Sequence, residues 1–514
     1  MDGRSFGEHR CRLLAEAMLQ QSSLVKRFEQ EGLSLERPWL NSGSRDLEGP
    51  WVPGPGLAKD PLDRHLLRQP SEGLSLERPW LNSGSRDLEW LWVPGPGLAK
   101  DPLDRALLQQ HSEGLSFERP WLNAGSRDLE WPLTIAAGPR STQGGFIDTA
   151  ARIGARLCRD AIWHEDRCTW TTDANRDDEV RHVAMGPDLY EGTSGVALFM
   201  TRLAKASGDR MFDETAQGAI LHARRAKMDS ANLYSGEAGV LLASAEVLGE
   251  EIDDAALLRS AEAFAFRAYD LMGGEAGVII PLLHAWRKSR NPALLASAVR
   301  KGDWLIAEAE REEDRLSWAS SGDVESPNLT GLSHGAAGVG WALAELFGCS
   351  GERRFADAAL DAFRYEREYF DEDEQNWPDF RDDEVTFSAA WCHGAPGIAL
   401  SRFRALRWIP DCGNADLRIA LETTRRAVYD NWCLCHGQCG NAEILRIAGM
   451  RDAALGIAEE GVERFDRRRM PWPCWAVPDG PELPGLMTGL AGIGEFYLRM
   501  AGETISPSPL LFIG

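Results

Sequence analysis

The chain has 514 residues, of which 43% are hydrophobic, and its formal net charge is −23 at pH 7. This acidity argues against a nucleic-acid partner, because binding phosphates requires a concentrated basic surface. No stretch reaches the length of a membrane span, and the first residues lack the pattern of a secretory signal, so membrane insertion is not expected. Ten cysteines in so long a chain do not indicate a disulfide framework, and we expect a cytoplasmic protein with free thiols.

Residues 1–130 differ in kind from the rest of the chain. The segment RSFGEHRCRLLAEAMLQQ is typical of one amphipathic helix, and a repeat with a period of 41 residues follows it. The repeated segment EGLSLERPWLNSGSRDLE begins at Glu31 and Glu72, and it begins with two substitutions at Glu113. The intervening segment WVPGPGLAKDPLDR occurs at Trp51 and Trp92, and Pro- and Gly-rich pieces such as its VPGPG favour turns over packed helices. We therefore predict a repetitive, low-complexity N-terminal region with little core, and an unrelated linker or an artefact of gene assembly is one interpretation of it.

A different repeat fills residues 140–514: Gly-x-x-Gly followed by an apolar helical run. Its seven copies are spaced by 44, 38, 61, 59, 43 and 52 residues, which leaves room for two helices per copy. The glycine pairs are Gly192/Gly195, Gly236/Gly239, Gly274/Gly277, Gly335/Gly338, Gly394/Gly397, Gly437/Gly440 and Gly489/Gly492. We expect the glycines to permit close backbone approach and the positive φ of a tight turn.

Amphipathic segments lie between the glycine pairs, for example at residues 255–272 and 353–370, and they have apolar residues at helical spacing. Alternation typical of β-strands is scarce. The pattern predicts an all-α fold, an α/α toroid (barrel) of seven helical hairpins whose inner helices start at the glycine pairs. An open α-solenoid is the alternative architecture.

Two copies of the repeat place soft metal ligands directly before the first glycine. They read Trp-Cys-His-Gly with Cys392, and Cys-His-Gly with Cys435 and His436. Two cysteines and one histidine supply three of the four ligands of a tetrahedral zinc, and an open fourth position is typical of a catalytic site. No Cys-x-x-Cys pair is present, so the fold must bring the ligands together. Cys439, one helical turn after Cys435, is an alternative ligand.

These motifs resemble the lanthionine synthetase C-like family, and more narrowly the cyclase half of the class II, LanM-type synthetases. The resemblance covers about residues 140–514 and is carried by SHGAAGVGWAL, WCHGAPGI, CHGQCGNAEIL and GLMTGLAGIGEFYLRM. It implies a Zn²⁺-dependent enzyme that adds a cysteine thiol to dehydroalanine or dehydrobutyrine in a dehydrated precursor peptide. It also implies a dehydratase remnant in residues 1–130, and it leaves room for a separate dehydratase as a second partner.

The resemblance further assigns roles to individual residues. Its three zinc ligands correspond to Cys392, Cys435 and His436. Its acid/base histidine corresponds to His334, and another polar active-site residue corresponds to Asp270, which could equally be a helix cap. His393 is expected to line the pocket, and His393 and Asp270 are the next candidates for the acid. Some family members carry an arginine shortly before the first cysteine, but this chain has Ser388 in that region, so no arginine role carries over.

Two other functions are compatible with the sequence. One is an enzyme of the same family that adds glutathione or another small thiol to dehydrated peptides. The other is a zinc-containing, non-catalytic scaffold that binds peptides. A glycosidase on the same toroid is disfavoured, because its pocket should show paired carboxylates, whereas the glycine-pair motifs here carry cysteine and histidine.

Overall fold

The structure is a computed structural model that describes residues 142–176, 179–265, 268–319, 327–381, 384–410, 412–474, 481–502 and 507–513. The predictions for residues 1–130 lie outside these described residues. Two compact units are distinguished. The first includes residues 163–165 and 171–184, and the second, here called the helical unit, comprises residues 138–162, 166–170 and 185–514.

The described part of the chain contains the following α-helices: α1 Thr142–Asp160, α2 Thr193–Ser207, α3 Arg210–Ala223, α4 Glu237–Leu248, α5 Asp254–Ala263, α6 Glu275–Ser289, α7 Pro292–Glu308, α8 Ala336–Ser350, α9 Arg353–Glu368, α10 Ala395–Ala405, α11 Asn414–Arg426, α12 Gln438–Ile447, α13 Arg451–Gly461 and α14 Leu490–Met500. A π-helical turn, Val462–Asp466, continues α13. The strands are β1 Ile162–His164, β2 Arg167–Thr169, β3 Thr171–Arg176, β4 Glu179–Ala184, β5 Glu310–Glu312 and β6 Arg315–Ser317.

The helical unit is the α/α toroid that the repeat predicts. Each even-numbered helix begins directly after the first glycine of a pair, and these seven helices pack side by side in chain order until α14 meets α2. The odd-numbered helices form the outer layer, each packed mainly against one inner helix. One pairing differs from a simple row of hairpins. The outer partner of α14 is α1, so helices from opposite ends of the unit close the ring.

The glycine pairs allow the turns before the inner helices to pack closely. A Cβ at Gly338, the second glycine of its pair, would collide with the carbonyl oxygen of Leu332, and the second glycine of every other pair faces a carbonyl in the same way. The expected positive φ is found at only one of the first glycines, Gly394, with φ +78°. At the other first glycines the backbone is extended, so close approach is the general reason for glycine there.

Hydrogen bonds join the seven turns that precede the inner helices, and we call this arrangement the turn ring. Backbone N–H groups donate to carbonyls of the next copy of the repeat. The bonds run from Leu233 to Gly277, at the start of α6 (3.1 Å), and between turns from Tyr190 to Tyr234 (2.9 Å), Leu271 to Ser333 (3.2 Å), Ser333 to Cys392 (3.1 Å), Cys435 to Met487 (2.8 Å) and Met487 to Tyr190 (2.7 Å). Between the fifth and sixth turns, the side-chain amide of Asn441 donates to Ala389 at 3.0 Å. The side chains just before the glycine pairs therefore gather at one end of the toroid.

Further along the inner helices, opposite charges pair across neighbouring helices in what we call the ion-pair belt. Its pairs include Arg202 with Glu246 and with Glu495 (both 2.7 Å), Arg287 with Glu345 (2.8 Å), Arg404 with Glu345 (2.6 Å) and Arg499 with Glu443 (2.7 Å). Glu443 and Glu495 lie six residues after the first glycine of their pairs, and the other belt residues lie ten or more residues after theirs, so the two groups occupy different levels of the inner wall.

Two local predictions require correction. The segment 255–272 is not one helix, because α5 ends at Ala263 and residues 268–274 form a pre-helix turn. Asp270 explains this turn, since its carbonyl accepts from the Gly274 N–H and its carboxylate accepts from the Gly273 N–H at 2.6 Å. Strands were also underestimated: β3 and β4 pair antiparallel in the first unit, and β5 and β6 pair in the second. No helix among the described residues is long and apolar enough to cross a membrane.

Candidate metal centre

The predicted site residues occupy equivalent places in the repeat. Cys392 and Cys435 stand two residues before the first glycine of the fifth and sixth copies. His334, His393 and His436 stand one residue before the first glycine of the fourth, fifth and sixth copies. Because the turn ring holds these positions at one end of the toroid, residues far apart in sequence meet there.

Cys392, Cys435 and His436 form a compact cluster. Their sulfur and nitrogen ligand atoms all lie within 4.8 Å of one another. Zn–S bonds of about 2.3 Å and Zn–N bonds of about 2.0–2.1 Å require ligand atoms this close. The Nε2 atom of His436 is buried and has no hydrogen-bond partner within the described residues, so this donor set fits a soft metal ion. Cys439, the alternative ligand, is buried in α12 and is not part of the cluster.

The two cysteines of the cluster share a hydrogen bond. This bond is the main cause of a lowered pKa at Cys392 and of a raised pKa at Cys435. Burial opposes the shift at Cys392, and the positive charge of Arg381 adds to it. Cys435 also accepts a hydrogen bond of 2.7 Å from the hydroxyl of Tyr190. Burial and the neighbouring thiols raise the pKa of Tyr190, so this hydroxyl stays a donor. Cys392 is thus the better thiolate of the pair.

His334 and Asp270 form a second feature at this end of the toroid. Nδ1 of His334 lies 2.8 Å from Oδ2 of Asp270, while the other carboxylate oxygen holds the Gly273 N–H. Asp270 is therefore both the turn cap and the histidine's partner. The His334 side chain is 39% exposed, and its ring faces that of His393 with centroids 6.2 Å apart. With Nδ1 engaged by the carboxylate, Nε2 is the atom available for proton exchange.

His393 is buried in a polar setting next to the cluster. Its Nδ1 lies 3.6 Å from Oδ2 of Asp379, and its Nε2 lies 3.4 Å from the hydroxyl of Ser333. Burial, with a contribution from Arg381, lowers the pKa of His393 to about 3. The imidazole is consequently neutral at neutral pH, which suits a hydrogen-bonding residue better than a cationic acid.

The sequence analysis missed Arg381. Its side chain pairs with the buried Asp379 at 2.6 Å, and its charge lowers the pKa of Cys392 and, after burial, that of His436. It precedes Cys392 by 392 − 381 = 11 residues, on a segment where Asp379 and Thr386 form an isolated β-bridge. Looking for an arginine only directly before the cysteine could not find it.

The sequence analysis also missed the aromatic residues Tyr190 and Tyr234. Both stand two residues before the first glycine of their copies, which is the place of Cys392 and Cys435 in later copies. Aligning the seven copies by this position would have indicated that these side chains belong to the turn ring. Tyrosine alone gave no such signal, because aromatic residues are common in any core.

The comparisons with known proteins agree with the repeat and its motifs. A family model described as "Lanthionine synthetase C-like protein" matches residues 183–513, which is more than half of the chain. The chain therefore belongs to the lanthionine synthetase C-like family, as the resemblance predicted. No curated protein sequence matches it.

Several solved structures are similar to this chain. Nisin cyclase shares 18% identity over 72% of this chain and 97% of its own, with a TM-score of 0.49. An unsaturated glucuronyl hydrolase specific for heparin shares 16% identity over 58% of this chain and 87% of its own, with a TM-score of 0.39. Cellobiose 2-epimerase from Bacillus thermoamylovorans B4167 shares 11% identity over 70% of this chain and 99% of its own, also with a TM-score of 0.39.

Proposed function

We propose that this protein is a zinc-dependent lanthionine and methyllanthionine cyclase. It would add cysteine thiols of a dehydrated ribosomal peptide to dehydroalanine and dehydrobutyrine, closing thioether rings. The observation that carries the proposal is the Cys392, Cys435 and His436 cluster beside the His334–Asp270 pair, at one end of a family toroid. Nearby thiol ligands and an acid/base histidine are what an addition of this kind requires.

The three clustered residues would hold the zinc, leaving a fourth position for substrate. A zinc ion held there would supply the positive charge that favours the thiolate of a substrate cysteine, and the thiolate is the nucleophilic form of cysteine. Arg381 supports metal loading, because its charge favours the thiolate of Cys392 and the neutral imidazole of His436. Both ligands must lose their protons before they can bind a metal.

The remaining chemistry is a balanced transfer of one proton. The substrate sulfur forms a bond to Cβ, and the π electrons of the Cα=Cβ bond move towards the adjacent carbonyl to give an enolate. His334 takes the thiol proton and returns it to Cα, while Asp270 keeps the imidazole oriented. His393 hydrogen-bonds at the edge of the site rather than donating as a cation, because its pKa is lowered to about 3 by burial.

The compartment and partners follow from the same chemistry. All described cysteines are free thiols, and the proposed substrate also carries free thiols, so a reducing cytoplasm is the proposed location. A dehydrated precursor peptide is the proposed partner. A separate dehydratase is proposed to supply the dehydrated residues, since the described residues account only for the addition step.

A thiol count on a defined peptide tests this function. The peptide contains one cysteine and one dehydroalanine, and is incubated with the protein with and without a chelator. Ring closure leaves the peptide mass unchanged but removes the free thiol, and the chelator should prevent this loss. With glutathione added, a peptide heavier by one glutathione supports the small-thiol alternative. If the peptide binds to the protein but keeps both its free thiol and its dehydroalanine, the scaffold alternative is supported and the cyclase is contradicted.

A further inference from the structure

We propose that three aromatic residues, held in place by the segment 507–513, position the two cysteines for metal binding. The aromatic residues are Tyr190, Tyr234 and Trp391, here called the aromatic clamp. This inference rests on the metal-binding part of the proposed function and deepens it. In this proposal the three aromatic side chains do not bind the metal themselves; they hold the cysteines that do.

Tyr190 connects the clamp to Cys435. Its hydroxyl donates to the sulfur of Cys435 at 2.7 Å, and its carbonyl accepts from the Met487 N–H, whose own carbonyl accepts from the Cys435 N–H. The first turn is therefore connected to the sixth turn both through the Tyr190 side chain and, by way of Met487, through the backbone. A donor to a ligating sulfur fixes its rotamer and tunes its electron donation, and such outer groups commonly matter for metal affinity.

Trp391 connects the clamp to Cys392, which follows it directly in the chain. The rings of Trp391 and Tyr234 meet edge to face, with centroids 5.2 Å apart. Tyr234 meets the ring of Tyr190 at 6.4 Å and 90°. Tyr234 and Trp391 are both fully buried, so a contiguous set of rings links the backbone at Cys392 with the side chain on Cys435.

The segment 507–513 supplies hydrogen-bond acceptors and a ring contact for these buried rings. The carbonyl of Pro509 accepts from the Tyr234 hydroxyl at 3.0 Å, and the carbonyl of Leu510 accepts from Trp391 Nε1 at 3.3 Å. The ring of Phe512 meets that of Tyr234 edge on, at 6.3 Å. Buried hydroxyl and indole donors require such acceptors. Two consecutive carbonyls thus fix two rings, one leading to each cysteine.

This arrangement makes a distinct prediction for metal binding. If the clamp only filled the core, loosening one ring would cost stability and leave the metal affinity of the folded protein unchanged. If it positions the sulfurs, loosening a ring spreads their separation and weakens the metal, because ligand geometry must be held closely for tight binding.

Tyr234→Phe is the first test, and the chain offers a matched control. Tyr497 is also fully buried, and its hydroxyl also donates to a backbone carbonyl, that of Ala458, at 3.0 Å. Tyr234→Phe and Tyr497→Phe should lose similar thermal stability. Only Tyr234→Phe should lower Zn²⁺ affinity, by about 10–100-fold in chelator competition, and alter the sulfur-to-cobalt charge-transfer bands of the Co²⁺-loaded protein.

Tyr190→Phe is the second test, because it removes only the hydroxyl that contacts Cys435. We expect a similar loss of Zn²⁺ affinity, again about 10–100-fold, with little loss of stability since Tyr190 is partly exposed. If both clamp variants bind Zn²⁺ as tightly as the unmodified protein, the clamp is overturned and the metal site stands. If the unmodified protein binds no Zn²⁺, the metal-dependent function and the clamp fall together.

Discussion

The inner helices present polar groups at two levels, and these are satisfied in different ways. At the ion-pair belt, buried charges face opposite charges, as Arg202 faces Glu246 and Glu495. At the turn ring, Cys392 and Cys435 share one hydrogen bond, and His436 Nε2 has no partner among the described residues. Each charged side chain named in the belt faces an opposite charge within the described residues, whereas the turn ring holds donors that a ligand would complete. The difference separates residues that hold the toroid from residues available for chemistry.

Electrostatics sharpen this contrast. Burial disfavours the charged form of Arg202, but Glu495 and Glu246 more than offset it and raise its pKa, so the guanidinium stays charged. At the turn ring, by contrast, the neighbouring groups give two chemically identical thiols opposite pKa shifts. Groups that the environment drives apart in this way are typical of functional sites.

The largest effect is expected from removing both cysteines of the cluster. The unmodified protein should purify with about one zinc per chain, and the Cys392→Ala/Cys435→Ala variant should contain almost none and have no cyclase activity. Elemental analysis measures the metal. Cys349→Ala is the control, because Cys349 lies in the last turn of α8, away from the cluster. If the double variant retains zinc, the metal binds elsewhere, and the turn ring is not the metal-binding level of the toroid.

The next largest effect should come from His334→Asn. His334 lies outside the ligand cluster, so zinc content should stay near normal while cyclisation falls by about 10²–10⁴, as for other lost acid–base groups. The thiol count on the dehydrated peptide gives the rate, and elemental analysis gives the metal. His222→Asn on α3 is a control at an outer helix. If His334→Asn strips the zinc, His334 is a ligand; if it leaves cyclisation intact, another group is the acid.

The sequence predicted both the toroid and the gathering of the candidate ligands at one end of it, because the glycine pairs have a physical cause. A glycine pair marks the start of each inner helix because a Cβ at the second glycine would collide with a backbone carbonyl. The same steric requirement therefore recurs in all seven copies of the repeat. Arg381 was not predictable in this way, because it reaches the cluster from an irregular segment bridged by Asp379 and Thr386. The pairing of α1 with α14 was not predictable either, because no local pattern reveals a contact between distant parts of a chain.

The belt should respond to substitution in the opposite manner to the turn ring. Arg202→Met leaves the buried Glu495 without its main partner, which should lower the free energy of unfolding by about 3–5 kcal/mol. Zinc content per folded chain should not change. Denaturant unfolding and elemental analysis give the two readouts. An exposed pair supplies the control, because Arg353→Met disturbs only a surface contact with Asp357. Metal loss in folded Arg202→Met would show that the levels are coupled.

A smaller effect is expected from Arg381→Gln. Without this charge the pKa of the Cys392 thiol and the pKa of the His436 imidazole should both rise, since Arg381 lowers each. Both changes favour protonated ligands, so the midpoint of Zn²⁺ uptake should move to higher pH, by about one unit or less. Titration of metal binding between pH 5 and about pH 8 measures the shift. Arg381→Lys should restore much of the original midpoint, and an unchanged midpoint in Arg381→Gln would exclude an electrostatic role.

The smallest effect should come from deleting residues 1–130, which is expected to leave zinc content and cyclisation unchanged, because their Pro- and Gly-rich composition offers little core. The matched comparison removes residues 1–161 and with them α1. That helix closes the ring against α14. Two of its side chains hold it there: the Thr149 hydroxyl donates to Asp466 at 2.7 Å, and Phe146 packs against Tyr497. Its loss should expose the apolar side of α14 and cause aggregation or a large fall in melting temperature. Size-exclusion chromatography, melting curves and zinc content compare the two deletions. If the shorter deletion already aggregates or loses its metal, residues 1–130 contribute to the toroid, and the predicted boundary is wrong.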